Sequence, residues 1–339
     1  MRFAFTDDQL AFRDAVKSLF DAECGPAVVR ASWESESGLN PGLWEKLGDM
    51  GVLGILAPEV MGGLGLSFID LILILEEAGY AGLPDPIVEH VAVALPLLVE
   101  LRADDRIVAD AIAGREVVGV SGFDMSPYVL QANVCRTLIA RTSDGTSIVE
   151  SPGANTERLE TIDRSVRMFR VSGLRSSQES PTGAVGPAES AGLASAAFNR
   201  GALGTAAVLV GAARRCLDLT VGYISQREQF GVPVGSFQGL KHQMATALMQ
   251  LEFARPAVYR AAQSITSNES TVDRDVSMAK AMASDAARLV ARTSLQAHGA
   301  IGYTVEYDLH LWFKRIFTLA PMWGDSAWHT DRVGVALGI

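Results

Sequence analysis

The residues best suited to chemistry stand together at Arg227-Glu228-Gln229-Phe230-Gly231-Val232-Pro233-Val234-Gly235-Ser236-Phe237-Gln238. An arginine fork can hold a pyrophosphate through two charge-assisted hydrogen bonds, an adjacent aromatic can cover an adenine, and the amides of Gln229 and Gln238 can fix ribose hydroxyls or ring edges. The same residues have a plainer reading. Arg227 can sit near a helix C-terminus, where a cation is favoured, while Gly231 and Pro233 stop that helix. Taken alone, the stretch is better explained by the plainer reading.

Other chemistries find little support. Gly62-Gly63-Leu64-Gly65 and Gly201-Ala202-Leu203-Gly204 lack GxGxxG spacing and follow no predicted strand, so they read as a turn and a close helix contact. His90, His242, His298, His310 and His329 show no ligand spacing, and no metal site is expected. No GxSxG elbow or Cys/His signature supports nucleophilic catalysis. Cys24, Cys135 and Cys216 are odd in number and far apart, which points to a reducing cytoplasm rather than a disulfide framework. With 29 Lys and Arg against 39 Asp and Glu, the net charge of -10 is the wrong sign for a sequence-blind nucleic-acid binder. The N-terminus turns acidic at Asp7-Asp8, and the apolar run Val91 to Val99 is interrupted by Pro96. Neither a signal peptide nor a membrane span is expected.

Elements able to position the Arg227 segment are legible around it. The chain has 339 residues, 48% of them hydrophobic, with a mean hydropathy of +0.19, enough for two or three domains and for apolar surface hidden between subunits. An oligomer is expected. Thr6-Asp7-Asp8-Gln9 has the form of a capping box for a helix over 7–22, and Asn40-Pro41 begins another that stops at Gly51. Ser67 to Glu77 is apolar on nearly every side, as only a surrounded helix can be. The region of Pro84, Pro86 and Pro96 predicts helix broken by its prolines. From Gly114 the texture changes to short β-branched segments, Val117 to Val120, Thr137 to Arg141, Ser147 to Glu150 and Val166 to Val171, with a linker over Ser176 to Pro187. Ala188 to Gln226, Gln238 to Ser267 and Val272 to Ala297 then form three long helical runs. The expected domains are 1–113, helical; 114–187, a small β-domain with its linker; and 188–339, a helical bundle.

In this setting the Arg227 motif resembles the acyl-CoA dehydrogenase family, whose Arg-Glu-Gln-Phe-Gly segment contacts FAD. Two more segments carry the resemblance in the same order. Upstream, Gly51-Val52-Leu53-Gly54-Ile55-Leu56-Ala57-Pro58-Glu59-Val60-Met61-Gly62-Gly63-Leu64-Gly65 is similar to the family's N-terminal segment; downstream, Gln296-Ala297-His298-Gly299-Ala300-Ile301-Gly302-Tyr303 is similar to its second flavin-contacting segment. The resemblance implies a mainly α fold with a helical N-domain, a reduced β-barrel-like middle domain and a C-terminal four-helix bundle. It also implies that Arg227, Gln229, Phe230, Gln238, Gln296, Gly299 and Ala300 touch an FAD held mainly by a neighbouring subunit.

The family reaction removes an α-proton from an acyl-CoA with a carboxylate while a β-hydrogen leaves as hydride to the flavin, so a base is indispensable. Counting from Gln296, the usual base position falls on Trp323; counting back from Arg227, the alternative position falls on Gly201. Neither takes a proton at neutral pH. The family's flavin-ring segments are absent too: the corresponding regions read Val120-Ser121-Gly122-Phe123-Asp124-Met125-Ser126-Pro127 and Arg136-Thr137-Leu138-Ile139-Ala140. The resemblance therefore implies the base-lacking member of a heteromeric, α2β2-type enzyme, completing the FAD site of a second acyl-CoA dehydrogenase subunit that carries the base and acts on an acyl-CoA. Two alternatives stay open: a self-sufficient enzyme with Asp325 as a displaced base, where Asp325 otherwise reads as a helix N-cap, and a non-catalytic scaffold or acyl-CoA binding protein.

Overall fold

The computed structural model describes residues 4–124, 126–150, 156–172 and 184–339. Helix α1 (Asp7–Glu23) opens on the expected capping box: Thr6 Oγ1 accepts from the Gln9 amide at 3.2 Å and Gln9 Oε1 accepts from the Thr6 amide at 2.9 Å. The next helix, α2 (Pro26–Glu34), is not announced by the sequence pattern, because it spans two turns, starts at Gly25 without a side-chain cap and buries only Val29 and Ser32. Asn40 caps α3 (Pro41–Asp49) as expected. Helix α4 (Phe68–Ala81) is the central one: Leu71, Ile72, Ile74 and Leu75 are all at most 1% exposed. After Pro84 and Pro86 the chain forms a π-helical segment, Val88–Ala94, before α5 (Leu95–Glu100) and α6 (Asp105–Ile112). The Leu95 amide bonds back to His90, one residue wider than α register, immediately before the N–H that Pro96 lacks.

Seven short strands follow: β1 (Val117–Ser121), β2 (Tyr128–Leu130), β3 (Cys135–Thr142), β4 (Gly145–Glu150), β5 (Thr156–Leu159), β6 (Met168–Val171) and β7 (Ala184–Val185). Among the described residues they make two small sheets, ordered β1-β3-β4-β7 and β2-β6-β5, with only the β1–β3 pair parallel. Most of the linker expected over Ser176 to Pro187 lies outside the described residues. Its end differs from expectation, because Val185 pairs with Thr146 and covers the open edge of β4. Two buried arginines clasp this unit to the helices. Arg315 donates to Asp163, to Ser165 Oγ at 2.7 Å and to the Leu83 carbonyl at 2.5 Å; Arg167 donates to the carbonyls of Ser32, at 3.0 Å, and Ser35.

The C-terminal half consists of α7 (Pro187–Gln226), a hairpin of β8 (Glu228–Gln229) and β9 (Val232–Pro233), α8 (Gln238–Thr266), α9 (Val272–His298), α10 (Leu309–Leu319) and α11 (Ser326–Leu337). At ~1.5 Å per residue, α7 runs for about 60 Å. By length and composition it could cross a membrane, but 78% of its most apolar window is buried inside the protein, as suits the core helix of a bundle. Helices α8 and α9 pack along it, and α4 crosses it at close range, since a Cβ on Gly79 would lie 2.0 Å from the Val208 carbonyl oxygen.

Candidate functional site

Because α7 runs up, α8 down and α9 up again, the C-termini of α7 and α9 open at one end of the bundle. Arg227 is the C-cap of α7 and Gly299 that of α9. Between them lies an open groove of about 470 Å³ whose lining includes Tyr223, Arg227, Gln229, Gln296, Gly299 and Ala300. Helix C-termini carry partial negative charge, so neither dipole favours an anion here, and an anion in the groove would need a cation beside it. Arg227 supplies it, and its guanidinium has no ion-pair partner among the described residues. Gly299 (φ +63°, ψ -139°) turns the chain where a side chain is rarely tolerated, leaving backbone open to a close-packed ligand.

Two of the expected contacts stand outside this groove. Phe230 and Gly231, with φ of +55° and +80°, form the two-residue turn of the β8–β9 hairpin, in which Gln229 pairs with Val232. The turn swings the Phe230 ring out to 93% exposure, with the edge of Phe237 beside it. Gln238 is the exposed first residue of α8.

The two base positions meet elsewhere. Gly201, on α7, faces Trp323, in the turn before α11: a Cβ on Gly201 would lie 2.5 Å from carbons of the indole. Trp323 is buried and holds φ +56°, and every polar atom it has is engaged. Its amide donates to Asp124 Oδ1 at 3.0 Å, its carbonyl accepts from His329 Nε2 at 2.8 Å, and its indole N–H donates to Glu89 Oε1 at 3.4 Å. Lys280, fully buried, donates to the carbonyls of Ala320 and Gly324 at 2.8 and 3.0 Å and so holds the turn from below. Burial pushes the Glu89 carboxyl up to about 7, and pushes Lys280 down to about 7 and His329 down to about 4. Beside the indole remains a cavity of about 20 Å³, bordered by Glu89, Val120, Asp124 and Tyr128. Asp325 caps α11, its Oδ1 accepting from the Trp328 amide at 2.9 Å.

Of the groups that fix the Trp323 turn, Glu89 and Lys280 are ones that sequence reasoning did not single out. A signal existed for Lys280, which interrupts the apolar positions Val276, Ala283 and Ala287 on the buried face of α9. Glu89 likewise breaks the apolar stretch from Ile87 to Val99. Among the described residues no group of three or more His, Cys, Asp or Glu could hold a metal ion.

Residues 191–338 match the family described as acyl-CoA dehydrogenase, C-terminal domain, and residues 6–100 match its N-terminal domain. The chain belongs to the acyl-CoA dehydrogenase family. It is 32% identical over 320 residues to the acyl-CoA dehydrogenase IpdE2 of Mycolicibacterium smegmatis, covering 94% of this chain and 95% of that one. The crystal structure of the ChsE4-ChsE5 complex from Mycobacterium tuberculosis superposes with a TM-score of 0.84 at 24% identity, covering 100% of this chain and 99% of the matched one. A steroid acyl-CoA dehydrogenase variant, Tcur3481-Tcur3483, superposes with a TM-score of 0.82 at 25% identity over 98% of each chain. Acyl-CoA dehydrogenases are FAD-binding flavoproteins, and the residues present fit that cofactor in part. The groove offers a guanidinium, two side-chain amides and a bare glycine to a nucleotide and its pyrophosphate. The cavity beside β1 and β2, at about 20 Å³, has no room for a flavin ring.

Proposed function

We propose that this acyl-CoA dehydrogenase is one subunit of a heteromeric enzyme that dehydrogenates an acyl-CoA between its α and β carbons, and that it completes the FAD site of a partner subunit carrying the base. The observation that carries the reading is the contrast between its two sites. The groove at Arg227 and Gln296 is open, while both base positions are taken up by the contact of Gly201 with Trp323. FAD, when bound, supplies the hydride acceptor. Arg227 then neutralises pyrophosphate charge, and Gln229 and Gln296 orient the nucleotide by hydrogen bonds. Phe230, exposed at its turn, and Gln238 stand where a partner or its cofactor can reach them from outside the groove. The names of two structural neighbours, each joining two designations, support a paired assembly. A cytoplasmic location accords with three free, buried cysteines.

The test is to co-express the chain with a second acyl-CoA dehydrogenase chain that keeps its base, and to measure flavin in the purified complex. Arg227→Ala is expected to lower flavin content at least tenfold while leaving the chain's own unfolding midpoint unchanged. A yellow, active preparation of this chain by itself would overturn the reading.

A further inference from the structure

We infer that Trp323 is a stopper filling an aromatic-sized pocket inside this chain's own fold, and that the pocket, once the indole is removed, takes up a planar aromatic molecule bearing one N–H donor. The fit of ring to pocket is reciprocal. Gly201 lacks the Cβ that would strike the indole at 2.5 Å, and Phe198 meets the ring edge-on with centroids 6.1 Å apart. The backbone is forced to suit. Trp323 accepts a left-handed φ of +56°, which a bulky side chain rarely adopts, and its turn is fixed from three elements by Asp124, His329 and Lys280. Those anchors bind the Trp323 peptide or its neighbours rather than the ring, so the turn and its pocket survive loss of the indole. Glu89, buried on the π-helical segment, faces the ring N–H at 3.4 Å and is left as an acceptor when the ring goes.

A pocket of this kind, walled by Phe198 and Gly201, does not collapse fully when a large side chain is cut back, and apolar cavities so made bind flat aromatic molecules. The ligand class follows from the walls: flat, apolar on both faces, with a donor at one edge for Glu89. Indole is the simplest probe. The inference deepens the proposed function and rests on it for one consequence, that with Trp323 in place this chain accommodates no acyl group at its own base positions.

Trp323→Ala is expected to fold, with a melting midpoint lowered by about 5 °C. Millimolar indole should then restore more than half of that loss, while moving neither the parent chain nor Trp328→Ala. A folded variant that gains nothing from indole overturns the inference. Should Trp323→Ala fail to fold, Trp323→Leu replaces it in a double-mutant cycle with Gly201→Ala. The added methyl should lower the midpoint strongly beside tryptophan and by less than a third as much beside leucine; equal losses in both backgrounds overturn the inference. Flavin content of the co-purified complex is read separately. A failure of indole uptake leaves the Arg227 groove untouched, and a flavin-free complex defeats the proposed function without bearing on the pocket.

Discussion

Gly211 lies directly against the backbone of Glu76: a methyl group on Gly211 would stand 1.8 Å from the Glu76 carbonyl oxygen. With Gly79 against Val208 one turn away, α4 and α7 touch backbone to backbone, and the two helices cannot part without opening the core they share. Gly211→Ala is therefore expected to cost about 3 kcal/mol or more, at the upper end for overpacking because a carbonyl, not a side chain, must give way. Urea unfolding of the purified chain measures it. Gly222→Ala, on the same helix with nothing within 4 Å of its would-be Cβ, is the control and should be neutral or slightly stabilising.

The close approach also buries a carboxylate. Glu76 accepts from Arg214 and Arg255, both at 2.9 Å, and from the Tyr259 hydroxyl at 2.6 Å, while Arg214 also reaches Glu77 at 2.9 Å. Neutralising Glu76 takes away the charge that the two half-buried guanidinium groups share, leaving Arg214 only its pair with Glu77 among the described residues. Glu76→Gln is expected to destabilise by about 3 kcal/mol. Arg170→Ala, which breaks the exposed pair with Glu157, should leave stability nearly unchanged. Equal effects in the two variants would show the Glu76 cluster to be no more than a surface pair.

How much of this is legible beforehand depends on the range of the contact. The three long C-terminal helices are plain in sequence, because each is a long Ala-rich run, and the capping box at Thr6 and Gln9 is a purely local device. The groove is half legible. Arg227 with Gln229 and Gln296 with Gly299 each form a contiguous segment, but that the segments meet depends on α7 and α9 running parallel. Phe230 and Gln238 part from them because a two-residue left-handed turn rotates Phe230 outward, a matter of dihedral angle that residue type leaves open. Strands β2, β5 and β7 have two to four residues, too few for alternation to show. The pairing of Gly201 with Trp323 joins two elements far apart in the chain, and only packing displays it.

Glu89 gives the fold a pH dependence of definite sign. Its carboxyl, raised by burial from 4.5 to about 7, stays protonated in the folded protein after the unfolded chain has ionised, so its contribution is complete below 4.5 and is lost as pH rises through 7. Asp85, also pushed up to about 7 by burial, acts in the same direction. His90 and His329, buried neutral and pushed down from 6.5 to about 4, act oppositely: their contribution is present above 6.5 and fades as pH falls to 4. Between about 4.5 and 6.5 the two pairs offset each other, and Lys280, lowered from 10.5 to about 7, acts only above that window. Glu89→Gln removes one carboxyl from this balance. Relative to the parent, the variant should gain roughly 3 kcal/mol between pH 4.5 and pH 8. Parallel stability-against-pH curves would show that Glu89 does not titrate in this range.

Asp325 is where a surviving base and a helix cap can be told apart. Its Oδ1 accepts from the Trp328 amide at 2.9 Å, the contact that starts α11, and the helix follows from Ser326. An asparagine keeps that acceptor but cannot take a proton from a thioester's α-carbon, whereas an alanine loses both. As a cap, Asp325→Asn should leave turnover of the flavin-loaded complex within twofold and stability unchanged, and Asp325→Ala should cost about 1 kcal/mol with little effect on turnover. As a base, both variants would lose turnover by a hundredfold or more at unchanged flavin content, since a positioned proton acceptor contributes about 10²–10⁴ in rate. The observed cap geometry predicts the first pattern. Steady-state rates measured beside thermal midpoints on the two variants decide between them, because a cap moves the midpoint and spares the rate while a base does the reverse.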